Sequence, residues 1–167
     1  RLVQYTSEVI SDLLEGEWIQ DSLIKDHNVD LDALDRVHNL KTASLFKWSL
    51  RAPFYCSENY NENLHHHLEE MGAIMGQLFQ RSDDLLDFNI RNEEKKAVLG
   101  DLKSGYLNSF AAFLMMGASE QKRSEFMNCQ IMADVYKHIG EKEFFTAVDE
   151  FDNINTSLIE LFEHHLH

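Results

Sequence analysis

The chain of 167 residues contains one proline, Pro53, and only seven glycines. So few breakers leave little material for the turns of a sheet protein and favour one built from helices. Two cysteines, Cys56 and Cys129, form no scaffold pattern, which excludes a disulfide framework and fits reduced thiols in a cytoplasmic protein. Basic residues are scarce, 15 against 29 acidic, and the formal net charge is −14. Nucleic acid is therefore not an expected partner, because phosphate contacts need a basic patch. No apolar run is long enough for a transmembrane segment, and no signal peptide is visible. What is present is a globular composition, 44% hydrophobic, in a length that supports one domain with a real core. The chain opens on Arg1 rather than Met. We therefore read residues 1–167 as a single all-helical domain that lacks its amino-terminal part.

Hydrophobic spacing predicts the helices. Val3, Val9, Ile10, Leu13, Leu14, Trp18 and Leu23 recur at helical intervals across 2–26. Asp30 or Asp32 is placed to cap a second helix running to about residue 52, where Pro53 helps to stop it. A third helix is expected over 62–89. Residues 89–105 are charged and irregular and read as a loop with one helical turn at most. Further helices are expected over about 106–117, 120–139 and 141–164.

The third helix carries the most informative residues. Gln80, Asp83, Asp84 and Asp87 fall on one helical face. Carboxylates stacked in this way repel one another, and a hard divalent cation relieves the repulsion. The stripe has two readings, a metal-bridged diphosphate site or a solvated acidic face. Gly72 and Gly76 lie on the same stripe, where glycine costs roughly 1 kcal/mol relative to alanine. They signal either close helix packing or room for a ligand. Two further segments stand out. Lys41-Thr42-Ala43-Ser44-Leu45-Phe46 offers a cation within an apolar helix, although an isolated lysine is usually a solvated surface residue. Gly16-Glu17-Trp18-Ile19-Gln20 places Gly16 and Gln20 one turn apart, as an ordinary amphipathic helix also would.

Taken in order, these segments resemble the carboxy-terminal half of the trans-polyprenyl diphosphate synthases, over most of residues 1–116. The G-E-x-x-Q pattern is met by Gly16, Glu17 and Gln20, and the lysine-threonine pair by Lys41 and Thr42. The G-x-x-x-G-x-x-F-Q-x-x-D-D-x-x-D pattern is met by Gly72, Gly76, Phe79, Gln80, Asp83, Asp84 and Asp87. The longer-chain members, octaprenyl diphosphate synthase among them, look most similar. The resemblance implies an all-α bundle of the isoprenoid-synthase type, with these residues supplying its second half. It implies head-to-tail condensation of an allylic diphosphate with isopentenyl diphosphate, and a homodimer. It assigns Asp83, Asp84 and Asp87 to magnesium, with manganese as a substitute. Lys41 would contact the allylic diphosphate, Thr42 and Gln80 would face the developing cation, and Phe79 would line the isopentenyl side.

Two departures from the family pattern bear on function. Its earlier aspartate-rich motif lies upstream of this chain's first residue, and no D-D-x-x-D occurs before residue 83. Later, where the family reads G-D-D-L-x-x-G-K-x-T-L-P, the chain reads Gly100-Asp101-Leu102-Lys103-Ser104-Gly105-Tyr106. One aspartate is missing and Tyr106 replaces a phosphate-binding lysine, with Lys103 close enough in sequence to stand in. Three alternatives accompany the synthase reading: a terpene cyclase of the same fold, a noncatalytic or regulatory prenyltransferase subunit, and a helical interaction module. His65, His66 and His67 are consecutive on a helix, so they point in three directions and are not expected to form a metal site. Met71, Met75, Leu78 and Phe79 read as core.

Overall fold

The computed structural model describes residues 1–24, 30–57, 61–89 and 98–166. Among these residues every regular element is a helix, in agreement with the scarcity of breakers. The order is α1 (Leu2–Leu23), α2 (Leu31–His38), a π-helical turn (Asn39–Ala43), α3 (Ser44–Tyr55), α4 (Glu62–Leu86), α5 (Gly100–Ser104), α6 (Ser109–Leu114), α7 (Glu120–Met127), α8 (Met132–Ile139) and α9 (Glu141–His164).

Local chemistry explains most boundaries. Asp30 caps α2 by accepting from Ala33 N, and Asn61 caps α4 by accepting from Leu64 N. The second expected helix runs on to Tyr55, with Pro53 inside its last turn, and is interrupted at Asn39–Ala43 by the π turn. There Ser44 N donates to Asn39 O, five residues back. The carbonyl of Leu40, which an α-helix would offer to that N–H, accepts from the Ser44 hydroxyl at 2.6 Å. The helix expected over 120–139 is two helices. Asp134 Oδ2 accepts from Gln130 N and Ile131 N, so α8 acquires its own amino-terminal cap and the chain breaks before it. The helix expected over 106–117 is confined to Ser109–Leu114, capped by Asn108. Of the expected loop over 89–105, residues 98–105 are described and contain α5, while 90–97 lie outside the described residues.

The third helix forms the spine. α3 lies along one side of it, and α6 and α9 along another. Gly72 and Gly76 make the α3 contact. A Cβ added at Gly72 would stand 2.6 Å from Lys47 Cα, and one at Gly76 would collide with Ala43 Cα. Close helix packing therefore accounts for both glycines. Gly16 does the same for α1, since its Cβ would come 2.9 Å from Lys41 N. The main core lies on the other side, where Phe88, Phe110, Phe126, Phe144 and Phe151 pack with Leu34, Leu99, Leu107 and Met115. Among the described residues no helix is long and apolar enough to cross a membrane.

Candidate functional site

The π turn and α4 face each other across a cleft of about 110 Å³ at their junction with α1 and α5. Lys41 points into it from the turn. Its Nζ donates to Gln20 Oε1 at 3.0 Å and pairs with Glu17 Oε2 at 2.6 Å. The G-E-x-x-Q segment of α1 thus acts on the lysine: Gly16 lets the backbones approach, and Glu17 and Gln20 hold the ammonium in place.

A continuous polar chain follows. Thr42 Oγ1 donates to Gln80 Oε1 at 2.9 Å, and Gln80 Nε2 donates to Asp84 Oδ1 at 3.0 Å. Asp84 is 1% exposed. Its Oδ2 accepts from Ser109 N at 2.9 Å and Ser109 Oγ at 2.6 Å, and lies 3.4 Å from His38 Nε2. Burial alone would raise this carboxyl, but the bond to His38, with those from Ser109 and Gln80, outweighs it and holds Asp84 below the usual carboxylate range. Behind it, buried Arg81 donates to both oxygens of Asp35, at 3.0 and 2.8 Å, which ties α2 to α4 just ahead of the π turn.

Asp87 is buried completely, and its two oxygens accept from Gly100 N at 3.0 Å and Asp101 N at 3.2 Å. It anchors the short α5, where a Cβ on Gly100 would crowd the carboxylate. Asp101 is carried into the cleft by that anchor, and its Oδ2 accepts from Asn108 Nδ2 at 2.8 Å. The three aspartates of the helical stripe therefore occupy different environments. Asp83 lines the cleft with Asp101 opposite, Asp84 forms its floor, and Asp87 is committed to the backbone of α5.

The structure brings Lys41, Thr42, Gln80, Asp83 and Asp84 together in this cleft. It places three predicted residues elsewhere, the first being Asp87, which the α5 backbone occupies instead of the cleft. Phe79 is 59% exposed on the neighbouring face, stacked 5.7 Å from Phe46. Lys103 is exposed and donates to Val98 O at 2.8 Å, away from the cleft. Tyr106 does line it, buried, and burial first and then the charges of Asp84 and Asp101 push its phenol up, so it stays neutral. His38, Asp101, Asn108 and Ser109 were not singled out from the sequence. Only Asp101 left a signal there, as the surviving aspartate of the family's G-D-D run.

A larger apolar opening of about 620 Å³ lies between the end of α4 and α8–α9, walled by Leu85, Phe88, Tyr136, Phe144 and Val148. None of the motif residues line it, so size does not select the site. The donor set does. The small cleft gathers Asp83, Asp84 and Asp101 around one ammonium that Glu17 already neutralises. Oxygen donors of this kind suit a hard divalent cation.

Comparison with known proteins bears on the family and the fold. A sequence model of the polyprenyl synthetase family matches residues 1–143. The chain is 36% identical over 115 residues to a prenyl transferase of Synechocystis sp., covering 68% of this chain and 35% of that one. It is 25% identical over 133 residues to the farnesyl diphosphate synthase of Buchnera aphidicola subsp. Schizaphis graminum, covering 80% and 40%. Among solved structures it superposes on heptaprenyl diphosphate synthase from Staphylococcus aureus with a TM-score of 0.82 at 22% identity, covering 99% of this chain and 52% of that one. For decaprenyl diphosphate synthase from Rhodobacter capsulatus the TM-score is 0.83 at 20% identity, with 99% and 53% covered. Such identities establish the fold, the all-α isoprenoid-synthase bundle. The chain spans well under half the length of these curated relatives and about half that of the solved structures. On the extent of the family match and the identity to its relatives, this chain belongs to the polyprenyl synthetase family.

Proposed function

We propose that the chain carries the diphosphate-binding half of a trans-prenyltransferase site, which condenses an allylic diphosphate with isopentenyl diphosphate. The observation that carries this reading is the chain Lys41···Gln20 and Thr42···Gln80···Asp84, which joins three separate sequence motifs in one cleft. Asp83 and Asp101 would hold magnesium, or manganese, at its mouth, with Asp84 as the buried negative floor and Asp87 fixing Asp101 through the backbone of α5. Bound there, the cation would neutralise a leaving diphosphate. Lys41 would meet the phosphate oxygens as a point charge held by Glu17 and Gln20. Thr42 and Gln80 present oriented dipoles to the charge that develops as the carbon–oxygen bond breaks. The double bond of isopentenyl diphosphate would then attack the allylic carbon, and a proton would leave. Phe79 and Phe46 offer an aromatic wall beside this path.

We also propose a homodimer in the cytoplasm. The exposed apolar stripe Val3, Ile10, Leu14 and Trp18 on α1 is surface of the kind helices bury in partners. The two cysteines, unpaired, fit a reducing compartment. The decisive experiment incubates the chain with labelled isopentenyl diphosphate, an allylic diphosphate and magnesium, and in parallel titrates inorganic diphosphate calorimetrically. Metal-dependent diphosphate binding that disappears in Asp83→Ala is expected, with or without turnover by the chain alone. Equal binding in excess chelator, or no binding at millimolar diphosphate, sinks the proposal.

A further inference from the structure

The three consecutive histidines of α4 do point apart, as expected. His65 turns inward, its ring 4.6 Å from that of Tyr55, while His66 and His67 face outward. The pattern within one helix could not show what stands opposite. The end of α9 lies against this part of α4, and its C-cap residue His165 packs its ring 5.8 Å from that of His67. Glu70, one turn on from His67, lies between them. Its Oε2 is 3.9 Å from His67 Nδ1 and 3.6 Å from His165 Nδ1, and the three ligand atoms all lie within 4.8 Å of one another.

These separations are too long for hydrogen bonds, which fall at about 2.7–3.2 Å. They are close to those of a ligand shell. A tetrahedral ion bound at about 2.0–2.1 Å sets its ligands about 3.3 Å apart, within reach of small side-chain rotations at a half-exposed site. We propose that His67, Glu70 and His165 form a binding site for a first-row transition cation, zinc foremost, which clasps the end of α9 to α4. Two imidazoles and one carboxylate are a zinc-type donor set. Magnesium, which prefers oxygen, is not expected there. Three protein ligands leave a fourth position for water. Sixteen residues of helix separate His67 from Asp83, about 24 Å at 1.5 Å per residue, so this site is independent of the cleft and of the function proposed for it.

The test is calorimetric titration of zinc chloride into the full chain, prepared with no added affinity tag and in excess magnesium, which would compete for the oxygen-rich cleft. One zinc per chain is expected, with a dissociation constant of about 10 µM or tighter, together with slower amide exchange over residues 160–166. His165→Ala and Glu70→Ala should each weaken binding about tenfold or more. His164→Ala, whose side chain is exposed outside the triad, should bind as the wild type does. Circular dichroism on each variant checks that the helices persist. A dissociation constant weaker than about 10 µM overturns the site. So does His165→Ala binding within tenfold of wild type, which would assign the zinc to the histidine run of α4 alone. Unchanged exchange at the end of α9 overturns the clasp.

Discussion

α4 meets α3 and the π turn through Gly72 and Gly76, backbone against backbone, whereas on its α6–α9 side Arg81 lies over the Phe151 ring and Asp84 bonds Ser109 beside an aromatic core. On the first side, the glycines let the π turn come close enough for Thr42 to reach Gln80, and large apolar side chains such as Val3, Leu14, Trp18 and Leu45 remain exposed. On the second, Phe110 stacks with Phe88, Phe144 and Phe151 at 5.1, 5.7 and 5.3 Å, and buried carbon is dense. The difference separates two tasks. The aromatic side holds the main buried core, and the glycine side fixes backbone positions so that polar side chains register across a cleft.

The division can be broken most forcefully in the aromatic core. Phe110→Ala should cost about 3–5 kcal/mol in chemical denaturation, and a loss below about 1 kcal/mol would show that the stability resides elsewhere. Asp84→Ala is the exception that sharpens the contrast, since Asp84 is buried and joins the polar cleft to Ser109 of α6. It should cost roughly 3 kcal/mol, because His38, Ser109 and Gln80 lose their acceptor. The same residue predicts an acid limb. A carboxylate whose folded pKa is depressed contributes stability above its unfolded value, near 3.9, and loses it as pH falls through the folded value. Asp84→Asn should therefore flatten the pH dependence of unfolding below about pH 4, and an unchanged acid limb would contradict the pairing.

Gly76→Ala should cost about 1–3 kcal/mol, since its methyl meets Ala43 and the two helices must part. It should also weaken magnesium-dependent diphosphate binding, although residue 76 touches no ligand, and intact binding would show that the close approach is not what sets the cleft. Asp83→Ala should cost far less stability than Phe110→Ala while abolishing that binding, the reverse of the core variant. The smallest effect is expected at Lys103, which is exposed and bonded to Val98 O. Lys103→Ala should leave diphosphate affinity within about twofold, and a tenfold loss would mean that the side chain swings into the cleft.

The sequence yields the helices where apolar spacing is regular, and α9 matches its expected span of 141–164. It does not yield the break between α7 and α8. That break depends on Asp134 reaching back to two backbone donors, and Asp134 reads in the pattern as an ordinary helical residue. Within the site, spacing put Gln80, Asp83, Asp84 and Asp87 on one face but said nothing about depth. Depth depends on what packs opposite: Ser109 and His38 over Asp84, the α5 backbone over Asp87. His38 was invisible for the same reason, because Asp84, the carboxylate it meets at the cleft floor, lies on another stretch of chain. The glycines kept two meanings until Lys47 and Ala43 were found against them.

The π turn carries a consequence for insertions and deletions. Its hydrogen bond spans five residues where an α-helix spans four, so the segment between α2 and α3 holds one residue more than a regular helix needs. Removing any one residue from 39–43 would let the backbone run as unbroken α-helix from Leu31 to Tyr55, and circular dichroism would record no less helix. The wide turn holds its extra residue within about the same rotation that an α-helix gives to four, so the flanks on either side of the deletion would stay close to register. Asp35 and His38 would still face Arg81 and Asp84, and Lys47 would still meet Gly72. A shorter and more regular protein would then keep its packing and lose the bulge that carries Lys41 to Gln20 and Thr42 to Gln80, so the irregularity serves the cleft and not the fold.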